Sequence, residues 1–237
     1  MRACSCMSLV YCLRHGRRTA CYVGDMTRAC IRVDMSGVAA ILLAAGSSHR
    51  FGTDKQSTLI GQVPLLTRSA CVLLDAGFDM PIVVLGSRAA EHRPLLHGLP
   101  LRVVENRSAA SGMASSLVAG LDAAGECDAV VVTVCDQPAV TAAHLRALVL
   151  AWRKTRRSIV ASSYAAALGV PALFAAAHFA ELRELGGDRG AGPILARHAK
   201  SVYAIPLPGG ELDIDTPADL TRLGALKIAA GAKFIPS

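Results

Sequence analysis

Apolar residues follow two alternating patterns along this chain: short unbroken blocks, and longer stretches that repeat with a helical period. Val38 to Ala44 (VAAILLA) is a continuous apolar block of buried-strand length that runs into a loop of small residues. Pro64 opens a stretch in which Leu65, Leu66, Ser69, Ala70, Leu73 and Leu74 share one helical face, with Gly77 placed to end it. Pro81 to Gly86 (PIVVLG) and Leu101 to Val104 predict strands, Met113 to Ala124 a helix, and Asp128 to Val134 (DAVVVTV) a central strand. Thr141 is suited to cap a helix in which Leu145, Leu148, Val149 and Trp152 fall at i, i+3, i+4 and i+7, so the tryptophan is predicted to be core. Ile159 to Tyr164, Val170 to Phe174 and Val202 to Pro206 read as strands, and Ala177 to Leu185 and Gly190 to His198 as helices. Alternating strands and helices without an internal repeat predict one α/β unit with a mostly parallel sheet.

Before Val38 the pattern is lost. Residues 1–36 contain six Arg and two Asp, leaving 19 basic against 16 acidic residues in the rest of a chain whose formal charge is +7. The excess charge therefore lies largely in the leader, and the folded part is too weakly basic for nucleic acid to be its main partner. Five cysteines (Cys4, Cys6, Cys12, Cys21, Cys30) also precede Ile31, with only Cys71, Cys127 and Cys135 beyond it. They lack the paired spacing of a zinc site, and the body reads as reduced and cytoplasmic. Met7 to Leu13 is too short and too close to Arg14 for a secretory signal. The uncharged run Ser158 to Ala180 is broken by serines, Gly169, Pro171 and His178, which suits two short buried elements rather than a membrane span. The expectation is a poorly structured or spurious extension over 1–36, with Met7, Met26 and Met35 as alternative starts.

In an open α/β sheet, ligands gather beyond the carboxyl ends of the strands, where strand order reverses. After the first strand comes Leu43-Ala44-Ala45-Gly46-Ser47-Ser48-His49-Arg50-Phe51-Gly52, with Lys55 just beyond. Small residues let backbone N–H groups approach a ligand and the two cations suit phosphate, although neither common phosphate-loop motif is present. After the central strand comes Cys135-Asp136-Gln137-Pro138. A carboxylate there is suited to Mg²⁺ or to capping a turn. Cys135 reads as a buried strand end and His49 as a solvated loop residue.

In this order the segments resemble the molybdenum cofactor cytidylyltransferase family, a branch of the molybdopterin nucleotidyltransferases. The resemblance runs from about Val38 to Leu220 and rests on ILLAAGSSHRFG (Ile41 to Gly52) with Lys55 and Gln56, PLL (Pro64 to Leu66), SGMASSL (Ser111 to Leu117) and CDQP (Cys135 to Pro138). GVPALF (Gly169 to Phe174), GDRGA (Gly187 to Ala191) and DIDTPADL (Asp213 to Leu220) complete it. It implies a Rossmann-like three-layer nucleotidyltransferase fold over 37–226 with a tail at 227–237, and Mg²⁺-dependent transfer of CMP from CTP to the terminal phosphate of molybdopterin. Leu43, Ala44, Ala45 and Gly46 would line base and phosphates, and Arg50 and Lys55 would clamp the triphosphate. Gly112, Ser115 and Ser116 would contact base or ribose, and Asp136 and Asp215 would hold the metal, with Asp213 nearby. An LAAG loop is similar to the cytidylyl type, so Ala45 implies CTP rather than GTP. The product would pass to a molybdoenzyme of the xanthine dehydrogenase type.

Some positions depart from that pattern, among them the polar residues Gln56-Ser57-Thr58 after Lys55 where an apolar pair is usual. Phe51 replaces a methionine, Arg107 follows Asn106 in place of proline, Tyr164-Ala165-Ala166 lacks a glycine, and Gly192 stands where an arginine is usual. The last leaves the acceptor more open than the nucleotide. Another phosphorylated acceptor, GTP as donor, or a non-catalytic carrier of molybdopterin cytosine dinucleotide are the competing readings.

Overall fold

The continuous apolar block Val38–Ala44 (β1) forms a strand because it can be covered on both faces, and all but one of its residues are buried. The computed structural model describes residues 10–14, 17–21, 33–46, 54–214 and 219. β1 is joined in one sheet by Ile82–Leu85 (β2), Arg102–Glu105 (β3), Ala129–Val134 (β4), Ile159–Tyr164 (β5), Ala167–Ala175 (β6) and Tyr203–Pro206 (β7). The seven strands lie in the order β7-β5-β6-β4-β1-β2-β3. β4, β1, β2 and β3 run parallel, as do β5 and β7, while β6 is antiparallel to both its neighbours.

Helices Leu65–Ala76 (α1) and Ala142–Thr155 (α3) pack together on one face of the sheet. Met113–Ala124 (α2), Phe179–Arg183 (α4) and Gly192–Arg197 (α5) cover the other, where Leu117, Leu121, Leu182, Ile194 and Leu195 meet Ile41, Val84, Val130 and Phe174. This is a three-layer, Rossmann-like α/β fold. α2 presses closely onto the sheet at Gly120, where a Cβ would lie 2.5 Å from Ile41 Cγ2. α1 ends at Gly77, whose left-handed φ of 101° lets its N–H reach Leu73 and Leu74 carbonyls, and the Thr141 hydroxyl accepts from His144 N to start α3.

Strands Val38–Ala44 and Ile159–Tyr164 and helix Met113–Ala124 keep their predicted bounds, and the other predicted elements recur with ends shifted by a few residues. Trp152 is a correction. It lies in the last turn of α3 and is only half-buried, with the Arg153 guanidinium 5.3 Å from its ring centroid, because so large a ring at a helix end is rarely covered on all sides. Three elements gave no clear sequence signal: the hairpin Leu59–Ile60 with Val63–Pro64, the turn Ala89–His92 continued by Arg93–Leu96, and an antiparallel pair Val10–Arg14 with Arg17–Cys21. That pair belongs to a compact unit of residues 1–33, separate from residues 34–237. Among the described residues, no helix is long and apolar enough to cross a membrane.

Candidate active site

Strand order reverses between β1 and β4, whose carboxyl ends lie side by side. The pairing extends one residue past β4, where Cys135 N donates to Leu43 O at 3.1 Å, and Asp136 then emerges at the edge. Lys55 meets it there, with Nζ 2.8 Å from Asp136 Oδ2 and side-chain exposures of 12% and 31%. Eighty-one residues separate the two in sequence. Each neutralises the other while leaving the carboxylate partly open to solvent, so the pair stays within reach of a charged ligand.

The loop after β1 is held from below. Gln56 is 3% exposed, and its Nε2 donates to Ala44 O at 3.2 Å and Gly46 O at 2.8 Å. Gly86, at the end of β2, permits a close approach on the other side: a Cβ there would lie 2.5 Å from Ala45 O. Asp54 anchors the start of the Lys55 segment, accepting from the Ser57 hydroxyl and lying 2.9 and 3.0 Å from His92 Nε2. Burial pushes the Asp54 carboxyl up, but hydrogen bonds from Ser57 and His92 and the charges of His92 and Arg88 outweigh this and hold it below its ordinary value. Arg50 lies outside the described residues.

A second segment reaches Asp136 from the far end of the chain. Ile214 N donates to Asp136 O at 3.0 Å, which brings the Asp213–Ile214 segment to this edge; Asp215 lies outside the described residues. Beside them Tyr164 donates to Val170 O at 3.0 Å in the bulge of β6 and accepts from Gln137 Nε2 at 3.1 Å. Burial pushes the Tyr164 phenol up; Gln137 opposes this, while the charges of Asp213, Asp136 and Glu211 add to it. Gln137 Oε1 is buried with no hydrogen-bond partner among the described residues. Cys135 is 5% exposed, and burial pushes its thiol far above the ordinary range, so it stays a neutral, inert thiol.

Gly112, Ser115 and Ser116 sit at the carboxyl edge of β3, where Gly112 precedes α2. Asn106 Nδ2 donates to Ser115 Oγ at 2.8 Å and Ser116 Oγ at 2.9 Å, so Ser116 is turned inward and buried while Ser115 is half-buried. Gly112 has φ 110°, and a Cβ on it would lie 2.2 Å from Gly187 C, so the SGMASS and GDRGA segments cross in contact there. Gly86, Gln56 and Asn106 are the positions that sequence reasoning left without a role. Gly86 ends PIVVLG, Gln56 adjoins Lys55, and Asn106 follows a strand, but only the contacts reveal what each supports.

This fold, with a cation and a carboxylate meeting across the strand-order reversal, has the layout of an α/β domain that binds a ligand at its switch point. The chain belongs to the family of the MobA-like NTP transferase domain, whose model matches residues 40–202. It is 31% identical over 131 residues to the nicotine blue oxidoreductase of Paenarthrobacter nicotinovorans (55% of this chain, 64% of that protein). It is 32% identical over 136 residues to a probable molybdenum cofactor guanylyltransferase of Chloroflexus aggregans (56% of this chain, 61% of that protein). The chain thus spans a little under two thirds of the length of these relatives. Among solved structures it is similar to the Rv0371c homolog from Mycobacterium sp. strain JC1 (29% identity, TM-score 0.70, covering 82% of this chain and 98% of that one). It is also similar to Rv0371c of Mycobacterium tuberculosis H37Rv, solved as a complex with manganese (27% identity, TM-score 0.66, covering 78% and 97%).

Proposed function

We propose that this nucleotidyltransferase moves CMP from CTP to the terminal phosphate of molybdopterin or its molybdenum form. An oxygen of that phosphate attacks the α-phosphorus, a new P–O–P bond forms, and pyrophosphate leaves with the electrons of the broken bond. The attacking phosphate is largely ionised near neutral pH, so the reaction needs positioning and charge neutralisation more than a general base. The observation that carries the reading is the Lys55–Asp136 pair at the reversal of strand order.

The donors gathered there fit a hard divalent cation: the partly open Asp136 carboxylate, with the Asp213–Ile214 segment hydrogen-bonded to its backbone. Asp136 and Asp215 would hold Mg²⁺, which would supply charge neutralisation at the phosphates. Lys55 and Arg50 would bind the departing pyrophosphate, and Leu43, Ala44, Ala45 and Gly46 would lie against the nucleotide. Gly112, with the Ser115 and Ser116 turn, would border the base or ribose through backbone atoms. CTP over GTP rests on Ala45: its backbone is already packed against Gly86, and its methyl narrows the space a purine would need. A molybdoenzyme of the xanthine dehydrogenase type would receive the product.

The competing reading keeps the donor site and changes the acceptor, favoured by Gly192 standing at the start of α5 where the resemblance has an arginine. The deciding experiment is pyrophosphate release with Mg²⁺, comparing CTP, GTP and ATP against molybdopterin, its molybdenum form and sugar phosphates. Release confined to CTP with a molybdopterin acceptor supports the proposal. Release with a sugar phosphate only, or tight CTP binding without release, overturns it.

A further inference from the structure

The edge of the sheet opposite the Lys55–Asp136 pair carries a separate cluster of side chains. Ala175 N donates to Ser158 O and Ala176 N to Asp128 O, both at 2.8 Å, which fixes the turn after β6 at the amino ends of β4 and β5. Six residues of β4, at about 3.3 Å each, put this edge roughly 20 Å from Asp136. His178 lies in that turn, Glu181 follows three residues later on α4, and His198 caps the end of α5. One ligand atom from each lies within 4.8 Å of the others.

The orientation of these groups is more specific than their proximity. His178 Nε2 is 3.0 Å from Ser158 Oγ, while its Nδ1 faces Glu181 Oε2 at 3.4 Å. His198 Nε2 meets that same oxygen at 2.8 Å, and the two imidazole rings stand edge to face with centroids 4.8 Å apart. Arg197 occupies the other carboxylate oxygen, Oε1. The outward atoms of His178 and Glu181 are thus held by a hydroxyl and a guanidinium, the outer support that orients metal ligands. Bonds of about 2.0–2.1 Å in a tetrahedral site put neighbouring ligand atoms about 3.3 Å apart, and the two observed separations bracket that value.

We propose that His178, Glu181 and His198 form a binding site for a zinc-class divalent cation, tying α4 and α5 to the amino edge of β5. Two imidazole nitrogens and one carboxylate select a borderline ion such as Zn²⁺ over Mg²⁺, with the fourth position open to water. The site is independent of the nucleotide chemistry and does not rest on it.

The test is zinc titration of the full chain, stripped by a chelator, against a chromophoric competitor in excess Mg²⁺, with a parallel Co²⁺ spectrum. The expected result is one equivalent of Zn²⁺ that Mg²⁺ does not displace, and a visible Co²⁺ spectrum without the near-ultraviolet thiolate charge-transfer band. His198→Ala and Glu181→Gln should each weaken binding by at least about tenfold, and Ser158→Ala by about the same factor. Glu181→Gln preserves the shape of the side chain, so lost zinc with unchanged circular dichroism and unchanged pyrophosphate release separates ligation from folding. Equal zinc uptake by the unaltered chain and these variants would assign the metal to cysteines and overturn the proposal. So would the absence of uptake, leaving a hydrogen-bonded cluster only.

Discussion

Two glycines flank the loop after β1, and replacing each with alanine separates the loop's own packing from its contact with a nucleotide. A Cβ at Gly46 meets no atom of the described residues within 4 Å, and Gly46 is not in the left-handed region. Gly46→Ala should therefore keep or raise stability, by roughly 0.4–1 kcal/mol through the unfolded chain. At Gly86 the same methyl would lie 2.5 Å from Ala45 O, against ordinary contacts of 3.4–4 Å, so Ala45 must retreat by about 1 Å. That movement pulls on the Gln56 bonds to Ala44 O and Gly46 O, at about 1 kcal/mol each, on top of about 1–3 kcal/mol of overpacking. A total of about 3–5 kcal/mol lowers Tm by about 6–20 °C in a domain of this size. Gly86→Ala should lose about 10²-fold in kcat/KM, because a misplacement of about 1 Å costs that much, or about 2.7 kcal/mol of barrier, and Gly46→Ala should lose activity because its methyl would fill space the proposed nucleotide needs. The assay is pyrophosphate release set beside a thermal melt. Gly46→Ala with an unchanged Tm and full kcat/KM would refute the placement of the nucleotide against this loop.

Asp136→Asn should lower kcat by at least about 10²-fold with the fold retained, and normal turnover would remove Asp136 from the metal site. Lys55→Ala should raise KM for the nucleotide, and unchanged steady-state kinetics would move the phosphate clamp elsewhere. The β5–β6 turn places Ala165 and Ala166 at φ 47° and 59°, so Ala166→Gly should stabilise by roughly 0.5–1 kcal/mol, read as a higher urea midpoint; a lower midpoint would contradict the strain. Burial pushes the His144 imidazole below its ordinary value, where its Nε2 lies 2.8 Å from Ser162 Oγ and that hydroxyl donates to Pro171 O. The unfolded chain therefore takes up a proton near pH 6.5 that the folded one refuses, so this stabilisation is full above that pH and is lost as the pH falls toward the folded value. Denaturation midpoints from pH 8 to 5 should show the loss, and the same slope in His144→Asn would assign it to other groups.

The order of elements was legible because the blocks that form β1 and β4 are apolar but for Thr133, as suits strands buried on both faces, and Pro64 and Gly77 bracket α1. Lys55 and Asp136 were legible as chemistry because each follows a strand, but their contact was not, since it depends on β4 lying next to β1. The roles of Gln56 and Asn106 were hidden for another reason. An amide signals nothing by its type, and its function lies in which buried carbonyl or hydroxyl it satisfies. Trp152 misled because periodicity reports which face a residue occupies but not how far the cover extends along it.

The seam between β1 and β4 also governs how the chain is made. Val38 pairs with Ala129, 91 residues later, and at about 5–20 residues per second a ribosome needs roughly 5–18 s to deliver that partner. During those seconds β1 can already pair with β2 on one side while its other edge, seven residues of unbroken apolar strand, stays open to any chain that meets it. Nascent or truncated products that end between Leu85 and Asp128 carry that open edge permanently, so they would be caught by chaperones or aggregate.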